Sequence, residues 1–285
     1  MNSLIPVQQN RFEARGQWLI LDLPQRRRYL AKEMAATRIL PSPQSVRNRA
    51  PRKWRRRAGA ADIVVLPELG IYYDALFRAY GPQHWWPGRT RFEVIVGAIL
   101  TQNTSWSNVE RAIAGLRREK LLSPKAIEQV PLGHLCGLIR PSGYFRQKAR
   151  KLKAFVQFLR RRYDGSLTKM FATSTGELRE QLLDVHGIGP ETADSILLYA
   201  GGHPVFVVDA YARRILERHN LADGKQSYEQ TRRLFEASLP MSAPLFNEYH
   251  ALVVHTGKHF CRKSKPCCDG CALRPFLPPP AEAQA

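Results

Sequence analysis

Two acidic side chains frame the middle of this chain. Glu191 and Asp209 lie 18 residues apart, each where a turn gives way to an apolar-periodic segment. A carboxylate at such a place does one of two jobs. It caps a helix by accepting a backbone N–H, or it stabilises positive charge that builds in a transition state. Other side chains also carry chemistry. Trp85 and Trp86, in Gln83-His84-Trp85-Trp86-Pro87-Gly88, offer flat π faces that stack on bases and attract cations. Gln102 and Asn103 offer amides that can replace the hydrogen bonds of a base edge. Gly187, Ile188 and Gly189 offer bare backbone ahead of Pro190, suited to an anionic phosphate. Lys258 offers an ammonium, for a pocket, a phosphate or plain solvent. Cys261, Cys267, Cys268 and Cys271 crowd into eleven residues. In a reducing compartment that spacing points to metal or iron–sulfur ligands rather than disulfides. Cys136 stands alone in an apolar segment and reads as core.

The elements that must hold these groups are helical. Apolar residues recur at helical spacing over 69–80, 91–101, 109–116, 145–163, 177–185, 193–200, 228–237 and 243–256, with shorter helices near 124–129 and 133–139. The helix over 91–101 is apolar nearly all round and must be buried. It ends at Gln102-Asn103, with Thr104 or Ser105 placed to cap the next helix. Leu182 to Val185 closes one helix and Pro190 suits the first position of another. Gly187 and Gly189 then permit positive φ between them, Ile188 plugs the turn into the core, and a helix-hairpin-helix results. Asp209 opens a further helix after the apolar run Val205-Phe206-Val207-Val208. The long helix over 145–163 is strongly basic, which by itself indicates a solvated face.

The chain of 285 residues has a formal net charge of +20, which points to a polyanionic partner, nucleic acid before membrane. It contains no apolar run of transmembrane length, and its N-terminal stretch lacks the pattern of a secretion signal. Residues 1–66 are basic and Pro-rich with weak periodicity and read as a disordered arm adding phosphate contacts.

The run Leu182-Leu183-Asp184-Val185-His186-Gly187-Ile188-Gly189-Pro190-Glu191-Thr192-Ala193-Asp194, with Asp209 downstream, resembles the helix-hairpin-helix DNA glycosylases of the endonuclease III superfamily. Ile99-Leu100-Thr101-Gln102-Asn103-Thr104 and Gly143…Lys148-Ala149 extend the likeness, which does not cover the N-terminal arm. The resemblance implies an all-α fold of two helical domains with a DNA-binding cleft between them. One would be a helical barrel over residues 83–203, the other discontinuous over 67–82 plus 204–285. It implies that Asp209 is the catalytic carboxylate and that Gln102 enters the space left by an extruded nucleotide. It implies a [4Fe–4S] cluster held in the pattern C-x6-C-x2-C-x5-C, of which Cys261, Cys268 and Cys271 supply three positions and Leu277 stands at the fourth. Cys267 is a substitute ligand by rearrangement; zinc on Cys261, Cys267 or Cys268, Cys271 and His259 is the second possibility.

Glu191 occupies the position of the lysine that makes the imine in endonuclease III, and a carboxylate cannot form one. The likeness therefore shifts to the monofunctional 3-methyladenine branch. There the hairpin glutamate and an aromatic stack form the base pocket with a late-helix lysine, for which Lys258 is the counterpart. The expected protein is a monomeric, cytoplasmic, nucleoid-associated DNA glycosylase without AP-lyase activity, whose partner is double-stranded DNA with a damaged base. Endonuclease III-like action on an oxidised pyrimidine or mismatch, and non-catalytic DNA binding, are the competing readings.

Overall fold

The helical periodicities of the sequence become twelve α-helices in the computed structural model, which describes residues 64–86 and 88–279. No β-strand occurs among the described residues. The basic arm expected over 1–66 falls, up to residue 63, outside them.

Helix α1 (Glu68–Tyr80) is followed by α2 (Arg91–Leu100), α3 (Trp106–Arg118), α4 (Pro124–Gln129) and α5 (Leu132–Leu138). A 3₁₀ turn at Arg140–Ser142 leads into α6 (Phe145–Tyr163), then α7 (Leu167–Phe171) and α8 (Thr175–Leu183). Helix α9 (Pro190–Ser195) continues as a π-helical turn at Ile196–Gly201. After an extended stretch come α10 (Ala210–Arg218), α11 (Tyr228–Ser238) and α12 (Ala243–His259).

Helix α2 is the inner pillar. Thr90 caps it by accepting from the Glu93 N–H at 3.1 Å, and every residue after Arg91 is buried. It packs on α3, α6, α9 and the π turn. Helix α12 is its counterpart in the C-terminal part, packing on α1, α10 and the π turn. The π turn therefore touches both pillars, and the core runs through it.

Three local expectations need correcting. Ser105 sits at the N-cap of α3 but accepts no helix N–H; its hydroxyl meets Ser107 instead, while Thr104 accepts from the Asn108 side chain. Only Gly187 of the hairpin glycines has positive φ, at +81°; Gly189 is extended, with open space where a Cβ would project. The basic face of α6 is not all solvated. Lys148 is only 2% exposed, and its ammonium donates to the Leu100 and Ser142 carbonyls at 2.9 and 2.6 Å. Burial, reinforced by nearby Lys151, pulls its pKa down to about 8. Lys148 thereby pins the C-terminal end of α2, where Gln102 and Asn103 follow.

The apolar run before Asp209 has no sheet to join, so side chains satisfy its backbone. Glu236 accepts from the Phe206 N–H at 3.0 Å and the Tyr228 hydroxyl from the Val208 N–H at 3.4 Å. Glu236 also pairs with Arg232, which bridges to Glu229. Glu229 in turn meets Arg179, whose guanidinium grips the fully buried Asp194 at 2.6 Å. This chain of charges ties α8, α9 and α11 together and sets the approach to Asp209. Removing Arg179 would take the close partner from the fully buried Asp194, the kind of loss that costs about 3–5 kcal/mol.

Candidate active site

Asp209 is the N-cap of α10, and its Oδ1 accepts the Ala212 N–H at 2.8 Å. Capping and catalysis are thus not alternatives here, because one oxygen serves the helix and Oδ2 remains. Oδ2 lies 3.6 Å from Nε2 of His250, a residue of α12. Nδ1 of His250 lies 2.5 Å from the Tyr199 hydroxyl.

Tyr199 stands on the π turn and is the hub of the site. Its ring centroid is 5.0 Å from that of Trp86. Burial holds its hydroxyl well above the ordinary tyrosine pKa, and the charges of Asp209 and Glu191 add to this, against an interaction with Trp85. π-Helical turns recur at functional sites, and this one brings Tyr199 between the aromatic loop and the two carboxyl groups.

Glu191, in the first turn of α9, is solvent-accessible, yet the protein around it displaces enough water to push its carboxyl up to about 7. Repulsion from Asp209 adds to that shift and Arg213 opposes it. Near neutral pH this carboxyl is therefore divided between its charged and uncharged forms, beside a second carboxylate.

The two tryptophans have separate environments. Trp86 meets Trp106 edge-on at 5.0 Å and Tyr199 at 5.0 Å. It also lies over Gly97 of α2, where a Cβ would come within 3.1 Å of the ring. It is the anchored member. Trp85 makes wider contacts, 6.4 Å to Trp106, and the ammonium of Lys258 stands over its ring at 5.8 Å. The structure thus brings Asp209, Glu191, Trp85 and Trp86 together around Tyr199, with Lys258 on the Trp85 ring.

Gln102, Gly187 and Thr192 form a second constellation. The Gln102 amide donates to the Gly187 carbonyl at 3.2 Å and to the Thr192 hydroxyl at 2.9 Å, and it accepts from the Lys151 ammonium. The Lys151 stem fills the space that a Cβ on Gly187 would need. These contacts hold Gln102 against the hairpin. Asn103 is the exposed one, in left-handed backbone at φ +53°. Ile188 is buried and can offer DNA only its backbone. No side chain caps α9, which leaves its first N–H groups open to an outside acceptor.

The cysteines divide three to one. Cys261, Cys268 and Cys271 line a single cavity with Arg218, His219 and Leu277. Cys267 is exposed, with its sulfur accepting from Arg262 at 2.9 Å. Leu277 lines the wall where the fourth thiolate would belong. These residues do not fit a four-thiolate [4Fe–4S] cluster. Among the described residues, the set expected for zinc, Cys261, Cys267 or Cys268, Cys271 and His259, is not drawn together around one point. Cys136 is half-buried against the core.

Sequence reasoning missed Tyr199, His250, Trp106, Lys151 and the burial of Lys148. Two of them leave a signal. His250 interrupts the otherwise apolar Tyr249-His250-Ala251-Leu252, and Tyr199 interrupts Ile196-Leu197-Leu198-Tyr199-Ala200; a polar tip on a buried face demands a partner.

The arrangement has relatives. Residues 96–241 match the HhH-GPD superfamily of base excision DNA repair proteins. A protein of Methanocaldococcus jannaschii, named as a DNA repair glycosylase, is 47% identical over 72% of this chain and 93% of its own. Endonuclease III of Sulfolobus acidocaldarius is 28% identical over 66% of this chain and 83% of its own. Among solved structures, the H. pylori 3-methyladenine DNA glycosylase bound to 1,N6-ethenoadenine superposes with a TM-score of 0.59 at 28% identity, covering 68% of this chain and 98% of that one. A trapped endonuclease III–DNA complex superposes with a TM-score of 0.65 at 21% identity, covering 75% of this chain and 96% of that one, a likeness of fold. The chain therefore belongs to the HhH-GPD superfamily of base excision DNA repair proteins and is a DNA repair glycosylase.

Proposed function

We propose that this glycosylase is monofunctional and releases alkylated purines such as 3-methyladenine from double-stranded DNA. The observation that carries the reading is the convergence of Asp209, Glu191 and the Trp85–Trp86 wall on Tyr199. A flipped alkylated purine is a flat cation whose glycosidic bond is already weak. It needs little help to leave. It needs a π face, which Trp85 supplies, and a nearby negative charge, which Glu191 supplies when ionised. Asp209 then stabilises positive charge on the sugar through its free oxygen while water attacks.

In this reading damaged DNA enters between the barrel over residues 83–203 and the part formed by 67–82 plus 204–285. Asn103 reaches the gap left by the extruded nucleotide, Gln102 holds Asn103's loop to the hairpin, and the Gly187–Gly189 turn receives a phosphate. The enzyme acts as a monomer in the cytoplasm at the nucleoid. No described helix is long and apolar enough to cross a membrane.

One observation favours a second reading. Lys258 places an amine over Trp85, where it opposes a cationic base and could attack the sugar of an abasic site. That would make the enzyme a lyase on another lesion, as for an endonuclease III-like protein. Purified protein on duplexes carrying single defined lesions decides, with base release and strand cleavage scored separately and borohydride trapping on abasic DNA. Release of alkylated purines without cleavage or trapping supports the proposal. Efficient trapping overturns its monofunctional half, and no release from any lesion leaves a DNA-binding protein.

A further inference from the structure

One buried polar atom beside Asp209 lacks a hydrogen-bond partner. Nε2 of His250 is enclosed and makes no hydrogen bond, in a residue only 5% exposed. Unpaired buried donors are rare in folded proteins, and this one faces Asp209 Oδ2 at 3.6 Å. A gap of that size is about 0.7 Å longer than a normal N–H···O bond, the slack that catalytic hydrogen bonds show before substrate binds. The other Asp209 oxygen is already held by the Ala212 N–H, so Oδ2 is the atom left to be positioned.

We propose that His250 is a positioning residue for Asp209, a neutral imidazole held in one tautomer by Tyr199 that donates its Nε2–H to Asp209 Oδ2 when lesion DNA occupies the site. The proposal rests on Asp209 being the catalytic carboxylate. The tautomer follows from the hydrogen bond at the other end of the ring. Tyr199 keeps its hydroxyl proton, because burial and the neighbouring carboxyl groups raise its pKa. It therefore donates to Nδ1 at 2.5 Å, and a neutral ring with Nδ1 accepting must carry its proton on Nε2. Burial lowers the His250 pKa although Asp209 pulls the other way, so the ring is neutral near pH 7. The Tyr199 and Phe206 rings lie 5.9 and 6.4 Å away and limit its rotation. Neutrality matters to the chemistry. A cationic imidazolium would pair with Asp209 and cancel much of the field that should act on the sugar. A neutral N–H fixes the oxygen's place and leaves the charge.

The test uses the full-length protein under single-turnover conditions, on the lesion duplex that the wild type processes. His250→Leu should lower the rate constant for base release by up to about 100-fold, the cost of misplacing a reacting group by ~1 Å, with the Kd for DNA within about twofold. His250→Gln, whose amide nitrogen reaches toward the place of Nε2, should recover most of the rate, and Tyr199→Phe should fall between the two. In an Asp209→Asn background His250→Leu should cost nothing more. Wild-type rates for His250→Leu, a Gln variant as slow as the Leu variant, or losses that multiply in the Asp209→Asn background would each overturn the proposal. Should His250→Leu fail to fold by circular dichroism, the order of wild type, Tyr199→Phe and His250→Gln tests the same positioning role, and an unaffected Tyr199→Phe overturns it. An Asp209→Asn protein with full activity would instead overturn the catalytic reading, whatever the His250 variants do.

Discussion

Replacing Trp86 and Trp85 one at a time with alanine separates a propping ring from a stacking one. Complete truncation of a buried tryptophan costs about 3–5 kcal/mol. Trp86 is half-buried, so the area loss falls toward the lower end, but its ring contacts with Trp106 and Tyr199, both at 5.0 Å, each add about 0.5–1.5 kcal/mol beyond area. A loss of roughly 2–4 kcal/mol is therefore expected for Trp86→Ala. It should show as an earlier urea midpoint with an unchanged slope. Trp85 is half-buried too, but its ring neighbours stand farther off, at 5.5 and 6.4 Å, and a cation lies over its face. Trp85→Ala should cost about 1 kcal/mol less stability than Trp86→Ala, the worth of one close ring contact, while kcat/KM on alkylated purines drops about 10- to 100-fold from 1–3 kcal/mol of lost stacking. Urea titration and steady-state base release on one preparation of each variant measure both quantities. If Trp85→Ala destabilises as much as Trp86→Ala and the surviving protein turns over normally, both rings are core and the cationic-base pocket loses its physical basis.

Asp209→Asn preserves the Ala212 cap but removes the charge, so base release should fall by about 100- to 1,000-fold with DNA affinity retained; equal losses of both, measured by gel shift and single turnover, would mark a mere cap. Glu191 gives a pH signature. Its carboxyl rises from an ordinary 4.5 to about 7 in the folded protein. Below the lower value both states are protonated, and between the two the unfolded chain has lost a proton that the folded chain keeps. Folding stability should therefore decline as pH rises through that window and level off above it. Glu191→Gln should lack this component, and Tm curves that run parallel with the wild type across the window would refute the assignment. For the cysteines, Cys267→Ala should melt like the wild type because the side chain is exposed. Iron and sulfide analysis of anaerobically purified protein tests the cavity that Cys261, Cys268 and Cys271 line: four of each per chain would mean that these three thiolates hold a cluster with a fourth ligand other than residue 277, and an iron-free, colourless protein would rule the cluster out.

The helices were legible from the sequence because burial of one face writes a 3.6-residue period into local residue types. Helix α6 runs over the residues its periodicity indicates, Phe145–Tyr163, and the hairpin is announced by Gly187 and Pro190, whose backbone preferences act within a few residues. The candidate carboxylates were legible for a similar reason, since each sits beside a local turn signal. The site around them was not. Tyr199 belongs to a turn that widens from α to π, and no local pattern of residue types marks that change. His250 reaches Asp209 across 41 residues of chain and Tyr199 across 51. Gln102 meets the hairpin across 85, a contact that no local pattern announces. Cys267 and Cys268 are neighbours in sequence, yet one takes a place on the wall of the cavity and the other meets Arg262 in solvent. Sequence determines which groups are available and which short segments curl, because both depend on near neighbours. Which oxygen of Asp209 is left free, which tryptophan is loose and which thiol faces inward depend on packing between distant segments, and only the tertiary structure decides them.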